Sequence, residues 1–321
     1  MRQGTCNLCL NVYNPPVFYR LGGGLVRYAA CDVGTNSCRL LVAEVGEEEK
    51  IRIVLKEVVT TRIGEGMHVS GWLQPGAINR TLNCLDSFID IMRRCQVTER
   101  VFVATSAVRD AINRDDFIVL AEERIGMPIQ VLDGKREGEL SYQGAKAGLG
   151  LRANPLLADV GGGSTEIILQ RRGIKSFSIN VGAVRAWEAD WNENEIKTRL
   201  AAGIPKGIKA KSNPLVLVGG TATSLVAMKK GMTEYDPEQV QGEILSLPEI
   251  SSYYTRLDQL TLEERKVIPG LQPERADIIV KGTLIIKCLM ELLERQEALV
   301  SDSDLLEGLI LTLHNKRSGQ G

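Results

Sequence analysis

Asp32-Val33-Gly34-Thr35-Asn36-Ser37 lies between two apolar runs, Val26 to Val33 and Cys38 to Val45. The wording returns 127 positions later as Asp159-Val160-Gly161-Gly162-Gly163-Ser164-Thr165, between Leu156 to Val160 and Glu166 to Gln170. Both copies read D-V-G-x-x-S. A tight turn between strands leaves backbone N–H groups pointing into the turn, where they can cradle an anion. Glycine permits the backbone geometry and the close approach. A single copy is an ordinary hairpin turn. Recurrence in two halves predicts two phosphate loops facing each other across a cleft. A third glycine-rich turn, Val218-Gly219-Gly220-Thr221-Ala222-Thr223, follows a strand and opens a helix, whose N-terminus is a natural anion or nucleotide site.

Working outward, the hairpin of the first loop is followed by a strand from Ile51 to Thr61. Ala77 to Cys95 has helical spacing, with Ile78, Leu82, Leu85, Ile89 and Met92 on one face. A short buried strand is read at Val101 to Thr105, a helix at Asp115 to Ile125, a strand at Ile129 to Leu132 and a helix at Glu137 to Leu149. Past the second loop come strands near Lys175 to Asn180 and at Leu215 to Val218, a helix from Thr223, and a long apolar helix from Arg275 to Leu293. Strands followed by alternating helices and strands, twice over, indicate an α/β protein of two related halves.

The bulk numbers agree. A chain of 321 residues with 44% hydrophobic and 25% charged residues is comfortable for two soluble domains. The formal net charge of -1 gives no global field toward nucleic acid or an anionic membrane, so neither is expected as a partner. No apolar run approaches the ~20 residues that span a bilayer. Seven cysteines, mostly inside apolar segments, read as reduced thiols of a cytoplasmic protein. Cys6 and Cys9 form a lone C-x-x-C, and zinc would require a second pair that does not follow. Residues 1–25, with Asn14-Pro15-Pro16 and Gly22-Gly23-Gly24, lack periodicity and are read as a disordered tail or a wrongly assigned start.

The three loops resemble the two phosphate motifs and the adenosine motif of the actin, sugar-kinase and heat-shock chaperone ATPase superfamily. Within it, the wording is similar to the exopolyphosphatase/guanosine pentaphosphatase family. The likeness is carried by Asp32 to Ser37 with Arg39-Leu40-Leu41, by Ala104-Thr105-Ser106-Ala107-Val108-Arg109-Asp110-Ala111 and by Asp159 to Glu166. It continues through Val181-Gly182-Ala183-Val184-Arg185, Gly220 to Thr223 and Arg275-Ala276-Asp277-Ile278-Ile279, and so runs from about Val26 to about Leu313. The resemblance implies two ribonuclease H-like (actin-like ATPase) domains flanking a cleft: residues 28–136 with a returning helix at 301–316, and residues 137–300.

It also implies a phosphoanhydride hydrolase. Such chemistry rests on positioning, charge neutralisation and an oriented water. The family places its catalytic glutamate in a segment resembling Gly134-Lys135-Arg136-Glu137-Gly138-Glu139-Leu140, so Glu137 is the expected base, with Glu139 second. Asp159, at a strand end, and Glu166 are the expected magnesium ligands, although strand alternation can turn Glu166 to solvent. Arg109 is the expected phosphate-binding guanidinium, its alternative being an ion pair with Asp110 or Asp115. Asp32, Gly34, Thr35, Asn36, Ser37 and Arg39 form the first phosphate set. Gly161, Gly162, Gly163, Ser164 and Thr165 form the second, joined by Gly220 and Thr221. Arg185 is a lesser candidate. A potassium requirement is implied by the family likeness alone.

Two departures bear on substrate: Gln241-Gly242 stands where the family often has His-Gly, and Leu306 where it often has Arg. Lys206, Lys209 and Lys211, with Arg171, Arg172 and Lys175, either steer a polyanion or form an ordinary exposed face. The expectation is a cytoplasmic, homodimeric, magnesium-dependent exopolyphosphatase acting on inorganic polyphosphate, with guanosine pentaphosphate as the alternative substrate. A kinase of the same superfamily and a non-catalytic polyphosphate or alarmone sensor are the rivals.

Overall fold

The computed structural model describes residues 26–46, 50–205, 207–208 and 213–319. The expectations for residues 1–25, the Cys6/Cys9 pair and Lys206, Lys209 and Lys211 lie outside the described residues.

Each half opens with three antiparallel strands. In the first these are β1 (Arg27–Val33), β2 (Ser37–Val45) and β3 (Ile51–Thr60). After the one-turn α1 (Met67–Ser70) and α2 (Pro75–Arg94), β4 (Glu99–Ala104) runs parallel to β1. The short α3 (Ser106–Asp110) and α4 (Arg114–Ile125) then lead to β5 (Ile129–Val131), parallel to β4. The strand order is β3-β2-β1-β4-β5.

Helix α5 (Gly134–Gly148) starts earlier than its periodicity suggested, because Asp133 caps it by accepting a hydrogen bond from Arg136 N. It leads into β6 (Leu156–Val160), β7 (Thr165–Arg171) and β8 (Gly173–Ile179). Next come α6 (Ala183–Glu188), α7 (Glu193–Gly203), β9 (Leu215–Val218), α8 (Gly220–Lys230), α9 (Pro237–Val240), β10 (Ile244–Ser246) and α10 (Leu247–Gln259). The chain ends with α11 (Leu262–Lys266), α12 (Ile279–Leu292), β11 (Glu297–Val300) and α13 (Leu305–Arg317). The second sheet has the order β10-β11-β9-β6-β7-β8. Read as β8-β7-β6-β9-β11, it repeats the first sheet strand for strand, with β10 added at the edge.

The long apolar helix begins at Ile279 rather than Arg275, because Pro273–Arg275 forms a 3-10 turn ahead of it. β11, α7 and α10 escaped the periodicity reading. A four-residue strand such as β11 leaves too little pattern to separate from a helix.

Successive residues of β2 serve opposite faces of the first sheet. Leu40 packs with Phe88 and Phe117 from α2 and α4, while Leu41 packs with Leu306 and Ile310 from α13. The last helix therefore returns to the first sheet. His314 is part of that helix, with Nδ1 3.2 Å from Tyr28 OH. Helices α5 and α13 cross backbone to backbone: a Cβ on Gly144 would run into the Asp304 carbonyl, and one on Gly308 into that of Leu140. Among the described residues no helix is long and apolar enough to cross a membrane.

Candidate active site

The two repeated turns meet at one cavity of about 100 Å³. Each is closed by the same bond at equivalent positions: Gly34 N donates to Ser37 O (3.1 Å), and Gly161 N to Ser164 O (3.0 Å). The loops touch one another. A Cβ on Gly163 would lie 2.6 Å from Ser106 Oγ and 3.0 Å from Thr35 Oγ1. Those two hydroxyls are themselves hydrogen-bonded at 2.7 Å.

Asp32, Gly34, Thr35, Asn36, Ser37 and Arg39 all line the cavity, as do Gly161, Gly162 and Ser164. Gly163 packs behind the wall, and Thr165 turns its hydroxyl to Val181 O (2.5 Å), away from the cavity. The third turn contributes Gly220 and Thr221, entered through Gly219 in the left-handed region at φ 95°.

Glu137, in the first turn of α5, is only 9% exposed. Its Oε2 accepts from Arg109 Nη1 at 2.9 Å. Burial and, next, Glu166 push its carboxyl well above the ordinary range, and Arg109 pulls it part of the way back. Glu139 instead pairs with Lys135 and Arg136 outside the cavity. Arg109 does not line the cavity. It grips Glu137, donates to Leu132 O (3.1 Å) and pairs with Asp110 (3.4 Å), so the anticipated Asp110 pair and a role beside Glu137 coexist. Arg185 buttresses the second loop by donating to Gly163 O at 2.9 Å.

Asp159 and Glu166 both line the cavity, and Glu166 is 2% exposed rather than solvent-facing. Ser141 donates to Asp159 (3.2 Å) and Ser178 to Glu166 (2.6 Å). Burial, with the charge of Glu166 second, pushes Asp159 up to about 8. Arg39 reaches the cavity but is already engaged, donating to Asp32 (2.8 Å) and pairing with Asp304. Burial opposes its charge, yet Asp304 and Asp32 outweigh that and raise its pKa further.

Arg275 and Asp304 are cavity residues that motif reasoning did not single out. Arg275 stood inside a quoted family-like block, which was the available signal; Asp304 had none. The guanidinium of Arg275 lies on Gly220, where a Cβ would sit 2.5 Å from its Cζ. Burial, followed by the neighbouring charge of Arg39, lowers its pKa to about 10. Of the two departures, Gln241 organises the segment before α13, accepting from Asp302 N (2.7 Å) and donating to Ser301 Oγ (3.3 Å). Leu306 is buried in the face shared by α13 and the first sheet.

The lining carries five carboxylates (Asp32, Glu137, Asp159, Glu166 and Asp304) and two guanidiniums (Arg39 and Arg275). That balance repels a polyanion unless cations accompany it. Asp32 Oδ1 and Asn36 Oδ1 are buried acceptors without a hydrogen-bond donor. Hard oxygen acceptors of this kind, beside a carboxyl as perturbed as Asp159, fit a magnesium ion. Among the described residues no group of three or more His, Cys, Asp or Glu could hold a metal by itself. Magnesium fits that limit, since it typically takes one or two carboxylates and completes its shell with water and phosphate oxygens.

Residues 41–317 match the model of the Ppx/GppA phosphatase family. Over 315 aligned residues, 90% of this chain and 99% of the relative, the sequence is 31% identical to Exopolyphosphatase 2 of Mycobacterium tuberculosis. The structure is similar to that of the Ppx/GppA family member of Aquifex aeolicus: TM-score 0.74, 27% identity, 91% of this chain and 99% of that one. It is also similar to an exopolyphosphatase-like protein of known structure: TM-score 0.83, 25% identity, 91% and 98% coverage. These likenesses identify the two halves as a pair of actin-like domains.

Proposed function

The chain belongs to the Ppx/GppA phosphatase family, and on that premise we propose that it is an exopolyphosphatase, releasing terminal orthophosphate from inorganic polyphosphate. The observation that carries this reading is the convergence of both phosphate loops and the buried, Arg109-held Glu137 on one cavity.

The backbone N–H groups of the two loops bind successive phosphates, with the hydroxyls of Thr35, Ser37 and Ser164 adding donors. Arg275 supplies positive charge at the third turn. Glu137 orients a water for in-line attack on the terminal phosphorus and accepts its proton. A carboxyl with a raised pKa is suited to that task, because proton transfer is most effective when the base titrates near the working pH. Arg109 keeps the Glu137 carboxylate aimed. Breaking the P–O bond to the bridging oxygen leaves orthophosphate and a chain one unit shorter. Magnesium, held by Asp159 with support from Glu166, would neutralise the charge on the phosphoryl oxygens.

We assign residues 28–136 with 301–316 to one domain and 137–300 to the other, with the cavity between them. The described cysteines are free thiols, which supports a reducing, cytoplasmic setting. A homodimer and a potassium requirement belong to the same proposal. Polyphosphate ranks ahead of guanosine pentaphosphate because no described lining residue is aromatic, so nothing there stacks a base.

The test is orthophosphate release by purified protein with magnesium from long-chain polyphosphate, guanosine pentaphosphate and ATP, alongside Glu137→Ala. Release from polyphosphate should fall by about 10²–10⁴-fold in the variant. Tight polyphosphate binding without release by the wild type would make the protein a sensor instead. Transfer from ATP to an added acceptor would make it a kinase.

A further inference from the structure

Arg62 is one of four described non-glycine residues in the left-handed backbone region, at φ 53°. That conformation is unfavourable for a side chain and persists where the surroundings impose it. Here they do so from two sides. Arg62 N donates to Asn36 O (2.9 Å), and Gly64 N donates to Thr35 O (3.0 Å), so residues 62–64 hold the first phosphate loop from behind. The Arg62 guanidinium reaches the other way, pairing with Asp277 Oδ2 (2.7 Å) and donating to Glu274 O (2.9 Å). Glu274 and Asp277 bracket Arg275. Asp277 Oδ1 also accepts from Ile278 N (2.9 Å), and Ile278 lines the cavity. A second contact runs the same way: Glu188 accepts from Gly66 N at 2.7 Å.

We propose that Arg62 is a positioning residue. It clasps the segment 274–278 to the first phosphate loop and thereby fixes the spacing between Arg275 and the loop donors. The inference rests on the cavity being the phosphate site. Without the clasp, the two walls separate in the free protein, and part of the substrate's binding energy is diverted to closing them. That cost falls on KM rather than on the chemical step, because the fully bound complex is unchanged.

Arg62→Gly is the informative variant, since glycine accepts the left-handed backbone while the side chain that makes the clasp is removed. Asp277→Asn attacks the clasp from the opposite wall, and serves if the first variant folds poorly. Hydrogen–deuterium exchange of the substrate-free protein should show faster exchange in both 34–37 and 274–278 for either variant. Arg80→Ala, which removes a bond to Thr61 O without crossing the cavity, should leave 274–278 protected. In steady state, KM for polyphosphate should rise about tenfold with kcat within about twofold, the size of one lost charge-assisted contact. Exchange that changes only around residues 61–66 in Arg62→Gly, or an unchanged KM, overturns the clasp. A wild type that releases no orthophosphate defeats the hydrolase reading instead, while the exchange comparison still decides the clasp.

Discussion

Gly220 opens α8 where the guanidinium of Arg275 lies against it, held there by a bond from its Nε to Gln272 Oε1 (2.9 Å). Its backbone is not in the left-handed region, so what an added methyl would meet is the movable end of the arginine. Gly220→Ala must therefore displace the guanidinium, while at the first position of the helix the exchange itself does not destabilise α8. The expected result is a split: a urea midpoint unchanged or higher, with kcat/KM for polyphosphate down about tenfold or more. Loss of stability in step with activity would mean that the fit, not the position of Arg275, is what glycine protects.

At the scale of elements, the sequence signals that place the helices are their ends. α10 carries a capping box in which Ser246 Oγ accepts from Glu249 N (3.3 Å) and the Glu249 carboxylate accepts from Ser246 N (2.8 Å); that carboxylate also accepts from the Ser246 hydroxyl and pairs with Lys229. The Ser246 backbone bond foremost, then its hydroxyl and Lys229, lower the Glu249 pKa from 4.5 to about 2. The folded value lies below the unfolded one, so the charge stabilises fully above about pH 4.5 and its contribution fades as pH falls toward 2. The side chain is 39% exposed, and solvent screening limits the effect. Glu249→Gln should cost about 0.5 kcal/mol at pH 7. Urea melts at pH 7 and pH 3.5 should show the difference shrinking, and a constant difference would assign the loss to packing rather than charge.

For the whole molecule, the decisive feature is that α13 closes the first sheet after the entire second half has been made. Leu305, Leu306, Leu309 and Ile310 are buried in that face. At about 2 kcal/mol for each such side chain, their loss rivals the whole 5–15 kcal/mol margin of a folded domain. Truncation after Val300 is therefore expected to expose the sheet face, bind a hydrophobic dye and remove the cooperative calorimetric transition. A truncated chain that still melted cooperatively near the wild-type temperature would show that the first half does not need its returning helix.

The repeat, its strands and its turns were legible because they are local. D-V-G-x-x-S sets a hairpin whose Gly34–Ser37 and Gly161–Ser164 bonds span three residues. The helical spacing of α2 announces its apolar face, and the unbroken run Leu40 to Ala43 in β2 announces a strand buried on both faces. The short β11 was invisible for the opposite reason, since a strand of four residues is stabilised by its neighbours β9 and β10 rather than by its own pattern. Within the site, local chemistry pointed to the loops and family wording pointed to Glu137, Asp159 and Glu166. Only the tertiary structure decided that Thr165 faces away, that Arg109 serves Glu137, and that Arg39 is held by Asp32 and Asp304. It alone also brought Arg275 over Gly220 and tied Arg62 to its flanks. Apart from Arg39 and Asp32, seven positions apart on one hairpin, these partners are 16 to 265 positions from one another, and which of them meet depends on which way each side chain leaves the backbone. Turn geometry and periodicity act over a few residues, whereas the direction of a buried charge is settled by which distant carboxylate or carbonyl the fold delivers to it.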